Sequence, residues 1–153
     1  MSRTFLQRVF TTIGGLALAG MLTLAQAAPV LFDVPMTGAQ EVPAVQTPGQ
    51  GNAALTYDAS TRVVAWNITF SGLSSPATMA HFHGPALAGK NAGVKVGLSH
   101  KGSTEVVSPI SGQATLSPDD ARAFEAGEMY INIHTKEHPG GEVRGQVVVP
   151  KRN

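Results

Sequence analysis

Histidine is the residue type whose placement in this chain most clearly suggests chemistry. Four of the five histidines fall in two short segments, His81-Phe82-His83 and 134–138, and the chain contains no cysteine. Alternate residues of a β-strand point to the same face, so His81 and His83 can present two imidazoles on one side. A neighbouring strand that carries His134 alongside them would complete a three-nitrogen site. The spacing therefore predicts a transition-metal centre, since neutral imidazole is a common metal ligand.

Other side chains near these segments widen the choice of ligands. His138, in the turn after the second segment, either completes the coordination or is simply exposed, and His100 is a weaker candidate. Met79 is in phase with the first histidine pair; a core position is favoured for it, although a thioether beside imidazoles would suit copper. A carboxylate ligand, Glu41 or Glu137, would favour iron instead. Glu41 is otherwise a turn residue or an outer partner that orients an imidazole.

The first 27 residues predict a secretory signal peptide. Arg3 and Arg8 form a basic start, residues 13–24 are apolar, and Ala25-Gln26-Ala27 matches the small-residue rule for cleavage after Ala27. The apolar stretch is short for a membrane span. We therefore expect an exported, periplasmic or secreted protein whose mature domain comprises residues 28–153.

Charge excludes several classes of partner. The full chain has eleven basic and ten acidic residues. Removal of Arg3 and Arg8 leaves nine basic residues against ten acidic ones, a net charge of −1. Such a balance gives no reason to expect binding to nucleic acid or to an anionic membrane surface. Arg144 is expected to pair with a carboxylate for structural reasons, or alternatively to steer anions. The sequence also lacks the Gly-x-Ser-x-Gly motif of a nucleophilic serine and the Lys-Ser/Thr of a phosphate-binding loop.

Strand patterns dominate the mature region. Residues 62–70 alternate strictly, with Val64, Trp66, Ile68 and Phe70 on one face, which is the signature of a half-buried strand. Ser117-Pro118-Asp119-Asp120 predicts the start of one short helix, which Gly127 ends. Strands are predicted at 31–36, 52–57, 62–70, 79–83, 94–98, 112–116, 129–135 and 142–149. Seven to nine short strands and one helix predict an all-β, antiparallel Greek-key sandwich or barrel.

Three segments resemble the CHRD family, the domain named after chordin. They are MTGAQEVPAV (36–45), AHFHGPA (80–86) and MYINIHTKEHPGGEVRGQV (129–147), in the family's order, and the resemblance spans residues 31–150. It implies an immunoglobulin-like β-sandwich and a secreted or periplasmic location. It implies little about biochemistry.

The histidine pattern also resembles the copper site of copper/zinc superoxide dismutases. Those enzymes have a His-x-His strand and a later strand ending in histidine, which here correspond to His81, His83 and His134. The chain departs from them because it has no cysteine for their disulfide and no histidine-rich loop with an aspartate for zinc. The resemblance thus implies a mononuclear site and leaves dismutation open, since a shared architecture does not establish an activity.

Two hypotheses follow. In the first, an exported domain binds one metal ion, with copper favoured and iron or zinc as alternatives, through His81, His83, His134 and, if it completes the shell, His138. Superoxide is then a candidate substrate, and the domain a superoxide dismutase-like oxidoreductase. In the second, the domain is a non-catalytic binding or adhesion module, and its histidines have no metal to hold.

Overall fold

The computed structural model describes residues 28–99 and 106–151; the predicted signal peptide and His100 lie outside the described residues. Within the described ranges there are eight strands and one α-helix, in agreement with the prediction from sequence. In chain order the elements are β1 (Val30–Thr37), a 3-10 turn (Gly38–Gln40), β2 (Gln50–Asp58), β3 (Val63–Ser71), β4 (Ala77–His83), β5 (Val94–Gly97), β6 (Ile110–Thr115), α1 (Pro118–Glu125), β7 (Tyr130–Thr135) and β8 (Val143–Gln146).

All eight strands belong to one antiparallel sheet that is nearly closed into a barrel. Their order is β5-β4-β7-β8-β1-β2-β3-β6. β1 and β8, the first and last strands along the chain, are neighbours in the sheet, because Thr37 of β1 pairs with Arg144 of β8. The predicted all-β, antiparallel class is confirmed. The finer expectation of a two-sheet immunoglobulin-like Greek-key sandwich is not confirmed, because this β1–β8 pairing joins all the strands into a single sheet.

Strand β3 shows how the sequence pattern builds the core. Val64 and Ile68 are fully buried and Trp66 is 7% exposed, while the intervening residues face outwards. Trp66 also donates a hydrogen bond from Nε1 to the carbonyl of Leu98, at 3.3 Å. Its register partner is Gly112 on β6, where an added Cβ would lie 2.7 Å from the indole ring. Glycine at this position therefore makes room for the largest side chain of the core.

The helix begins and ends where the sequence predicted. The Ser117 hydroxyl accepts a hydrogen bond from the backbone N–H of Asp120 at 3.1 Å, and Gly127 adopts a positive φ of 74° just past the helix. Phe124 of α1 is fully buried and packs on Tyr57 and Phe82, with ring centroids 4.7 and 5.8 Å apart. The helix thus contributes to the barrel core. Among the described residues, no helix has the length and apolar character to cross a bilayer.

Strand β7 is buried on both faces, which is unusual for a sheet with a solvated outer side. Ile131 and Ile133 are fully buried in the hydrophobic core. Tyr130, Asn132 and His134 lie on the opposite face and are no more than 6% exposed. Loops that follow β4 and β7 cover them. A polar layer shielded from water therefore lies outside the core; it includes His83 and His134, while His81 is half-buried.

Candidate metal centre

The paired strands β4 and β7 bring three histidines together. Met79, His81 and His83 share one face of β4, and antiparallel pairing places Met79 opposite His134 and His81 opposite Asn132. The three imidazole centroids are 5.0 to 5.8 Å apart. One nitrogen from each ring lies within 4.8 Å of the other two, and His81 Nδ1 is 3.1 Å from His134 Nε2. The convergence of His81, His83 and His134 that the sequence predicted is thus present in the structure.

Backbone carbonyls select the tautomers of two of these rings. His83 donates from Nδ1 to the carbonyl of Ala92 at 3.0 Å, and His134 donates from Nδ1 to the carbonyl of Pro139 at 2.9 Å. A ring that donates from Nδ1 keeps a lone pair on Nε2. His83 Nε2 is buried and has no hydrogen-bond partner, while His134 Nε2 faces His81. This is the arrangement by which proteins orient metal-binding imidazoles.

The site also keeps its imidazoles uncharged. Burial, followed by the neighbouring His134 and His83, lowers the pKa of His81 to about 4. Burial lowers the pKa values of His83 and His134 as well, although the carbonyls of Ala92 and Pro139 partly oppose it. Metal ligation requires the deprotonated ring. The low pKa values therefore favour, at neutral pH, the uncharged rings that ligation requires.

Among the described residues, His138 and the candidate carboxylates do not join this cluster. His138 is half-buried in the turn after β7, where it lines a separate cavity of about 230 Å³ with Glu41 and Glu137. Met79, which the sequence placed in the core, is 44% exposed. That expectation was wrong because Met79 faces outwards with the histidines. Of the histidines and carboxylates that the structure describes, only imidazoles therefore belong to the cluster.

His83 packs against the ring of Tyr130, which in turn contacts the guanidinium of Arg144. The imidazole of His83 lies parallel to the ring of Tyr130, with an interplanar angle of 6° and centroids 4.9 Å apart. The guanidinium of Arg144 lies 3.4 Å from the centroid of the same tyrosine ring. Arg144 is 1% exposed and donates to Asn91 Oδ1 at 3.1 Å and to the Lys90 carbonyl at 2.8 Å. Its hydrogen-bond partners are thus neutral groups, where the sequence suggested a carboxylate.

Glu41 and Asn132 form a second buried layer. Burial raises the pKa of Glu41 to about 7, against the opposing charge of Arg144 and a hydrogen bond with Asn132. Asn132 also interacts with His83. The buried side-chain atoms without hydrogen-bond partners among the described residues are Glu41 Oε1, Asn132 Oδ1 and His83 Nε2. A side chain at Gly141, where φ is 127°, would collide with both Glu41 and Asn132. Asn132 was not predicted to be a site residue, although its alternation with His134 in the sequence was an available signal.

Replacing Glu41 with glutamine is expected to change how stability depends on pH. The folded-state pKa is raised from 4.5 to about 7, so the folded protein holds this proton more tightly than the unfolded chain. The contribution of Glu41 to the free energy of unfolding should therefore decline as pH rises from about 4.5 to about 7, by at most about 3 kcal/mol. Glu41→Gln removes that decline. Both proteins retain the histidines, so the difference between them isolates Glu41.

Urea unfolding of the metal-free proteins at pH 5 and pH 8 measures this difference. Relative to Glu41→Gln, wild type should become less stable between pH 5 and pH 8, because the three histidines contribute equally to both proteins. An equal change in the stability of the two proteins would show that Glu41 is not held in a proton-retaining environment.

Of the comparisons with known proteins, only a protein-family model gives a match, and that match covers most of the described domain. No curated protein and no solved structure matches the chain. The family model of the CHRD domain matches residues 32–147, from β1 to the residue after β8, and so covers the sheet and all three clustered histidines. On that match, the chain belongs to the CHRD domain family.

Proposed function

We propose that this CHRD domain binds one transition-metal ion, with copper favoured, through His81 Nδ1, His83 Nε2 and His134 Nε2. The observation that carries the proposal is the convergence of the three rings, which each bring one nitrogen to within 4.8 Å of the other two. Metal–nitrogen bonds of about 2.0–2.1 Å place the nitrogens of one shell roughly 3.3 Å apart. The 3.1 Å between His81 Nδ1 and His134 Nε2 is already close to that spacing.

The donor set discriminates among metals. Imidazole suits copper and zinc, whereas the common non-haem iron site adds a carboxylate. Glu41 and Glu137 line a separate cavity and are not members of the cluster. Absence of a carboxylate from the cluster therefore favours copper or zinc over iron. Unlike zinc, copper would supply the two accessible oxidation states that superoxide disproportionation requires.

Access and charge favour a small anion as the ligand of such a centre. His81 is half-buried while His83 and His134 are almost fully buried, so the cluster opens to solvent on the side of His81. The positive charge of Arg144 lies close enough to His83 to lower its pKa. Arg144 lies behind the Tyr130 ring that stacks on His83, and a buried cation near a metal centre makes the local potential more favourable to anions. Superoxide is the substrate that we propose on this basis.

Metal analysis of exported protein purified without a histidine tag tests the proposal. Wild type should contain, or take up, one equivalent of copper, and His81→Ala/His83→Ala should not. His138→Ala removes a histidine outside the cluster and serves as the matched control; it should retain the metal. Copper-loaded wild type should also consume superoxide faster than the double variant.

Failure to retain stoichiometric metal would favour the alternative, a non-catalytic binding or adhesion module.

Export to the periplasm or beyond belongs to the same proposal. It rests on the predicted signal peptide and on the occurrence of CHRD domains in extracellular proteins. Intact mass of the exported protein should begin at or near Ala28, and retention of residues 1–27 would contradict it.

A further inference from the structure

Met79 is the large apolar side chain at the open side of the histidine cluster. It is 44% exposed although its strand, β4, pairs with β5 on one side and β7 on the other. Its register partner is His134, and it precedes His81 by two residues on the same face. Exposure of a flexible apolar side chain carries no benefit for folding, since its area is not removed from water.

The strand geometry puts Met79 within reach of the metal-binding nitrogens. Directly opposed residues on antiparallel strands have Cβ atoms about 4.5–5.5 Å apart, and alternate residues of one strand are separated by about 6.6 Å. Both His134 and His81 therefore lie within the span of an unbranched thioether side chain with three rotatable bonds. The opposite side of the cluster is already occupied, because Tyr130 stacks on His83 and the Ala92 carbonyl holds its Nδ1.

We propose that Met79 Sδ is the fourth ligand of the site when it holds cuprous copper, and that this residue makes the site selective for Cu(I) over Zn(II). The inference rests on the proposed metal-binding function. A thioether is a soft, neutral donor that suits Cu(I). Zinc favours imidazole, carboxylate or thiolate and completes its shell with water when a position is open. Met79 therefore contributes to copper affinity and leaves zinc affinity unchanged.

The experiment compares wild type with Met79→Leu, which removes the sulfur and keeps the size and apolar character. Cu(I) affinity is measured by competition with a Cu(I)-specific chelator under anaerobic conditions, and Zn(II) affinity by competition with a zinc chelator. Met79→Leu should weaken Cu(I) binding by between about 10-fold and 100-fold, the usual range for loss of a supporting group, and change Zn(II) binding by less than about twofold. X-ray absorption of the Cu(I) protein should show one sulfur neighbour in wild type and none in the variant.

Each outcome decides between the two proposals. Unchanged Cu(I) affinity, or equal weakening for both metals, overturns the role of Met79 while the three-histidine site stands. Failure of wild type to bind either metal overturns the metal site itself, and Met79 with it. Folding does not confuse the result, because a substitution at a side chain that is 44% exposed removes little buried area, and the zinc titration reports directly on an intact histidine cluster.

Discussion

Zinc affinity of the metal-free protein is expected to stay nearly constant from pH 8 to about pH 6 and to fall only at lower pH. Protons compete with metal for the three imidazoles, and the competition begins where the rings titrate. Burial lowers the pKa of each clustered histidine, and His81 titrates at about 4. The sequence alone predicts a fall through about pH 6.5, the value for a solvated histidine. The structure therefore moves the expected fall to lower pH.

The size of the effect makes it measurable. Three solvated imidazoles would lose roughly 1,000-fold in affinity between pH 8 and pH 5.5, since each is about tenfold more protonated than neutral at the lower value. We expect the protein to lose at least about tenfold less over that range, because desolvation disfavours the charged rings. Only well below pH 4, where His81 is also mostly protonated, should the slope of log affinity against pH approach three, one unit for each displaced proton.

Competition titrations with a zinc chelator from pH 5 to pH 8 provide the measurement. His138→Ala, outside the cluster, should give a superimposable profile, and His134→Ala should bind about 100-fold more weakly or worse at every pH. A zinc affinity that already begins to fall at about pH 6.5 would contradict the burial of the histidines. Because buried histidines and carboxylates would both give constant affinity above pH 6, the pH profile alone does not distinguish a histidine site from a carboxylate site. The loss of zinc binding in His134→Ala makes that distinction.

Local patterns explain why much of the fold was predictable. The alternation of Val64, Trp66 and Ile68 specifies both a strand and its buried face, because the period of two is a property of the extended backbone. The same rule places His81 and His83 on one side of β4. Ser117 and Gly127 mark the helix ends through local hydrogen bonding and backbone conformation. These features depend only on residues close in sequence.

The features that the sequence missed depend on contacts between distant segments. The pairing of Thr37 with Arg144, which joins the first and last strands in a single sheet, spans the whole domain. The carbonyls of Ala92 and Pro139 that orient the imidazoles carry no side-chain signature, since any residue type supplies a carbonyl. Exposure of Met79 was missed because apolar character predicts burial, whereas strand phase places it on the same face as the histidines.

Glu142 is the least expected structural residue of the domain. It is fully buried and has no ion-pair partner among the described residues, yet its carboxylate accepts four hydrogen bonds. The donors are Thr47 Oγ1 at 2.6 Å and, each at 2.8 Å, Ser74 N, Ser74 Oγ and Thr135 Oγ1. Burial by itself would raise the pKa of Glu142, but these hydrogen bonds together outweigh it and lower the pKa. The buried group is therefore an ionised carboxylate that joins two loops to the end of β7.

Glu142→Gln is expected to lower the free energy of unfolding by about 2–4 kcal/mol. The variant removes a charge that strengthens four hydrogen bonds and turns one acceptor into a donor that faces other donors. Glu137→Gln makes the same chemical change on an exposed side chain and should alter stability by less than about 0.5 kcal/mol. Urea unfolding of the metal-free proteins at pH 7 gives both values. Equal stability of the two variants would contradict the role assigned to Glu142.

The dependence on pH separates a charge effect from a packing effect. The folded-state pKa of Glu142 is lowered below 4.5, so its contribution is fully present above that value and is lost as pH falls through the lower folded-state pKa. The stability gap between wild type and Glu142→Gln should therefore narrow on acidification, whereas a packing defect would persist. Thr135, one of the donors, adjoins His134. Loosening this end of β7 should consequently weaken zinc binding at pH 7 in Glu142→Gln and leave it unchanged in Glu137→Gln.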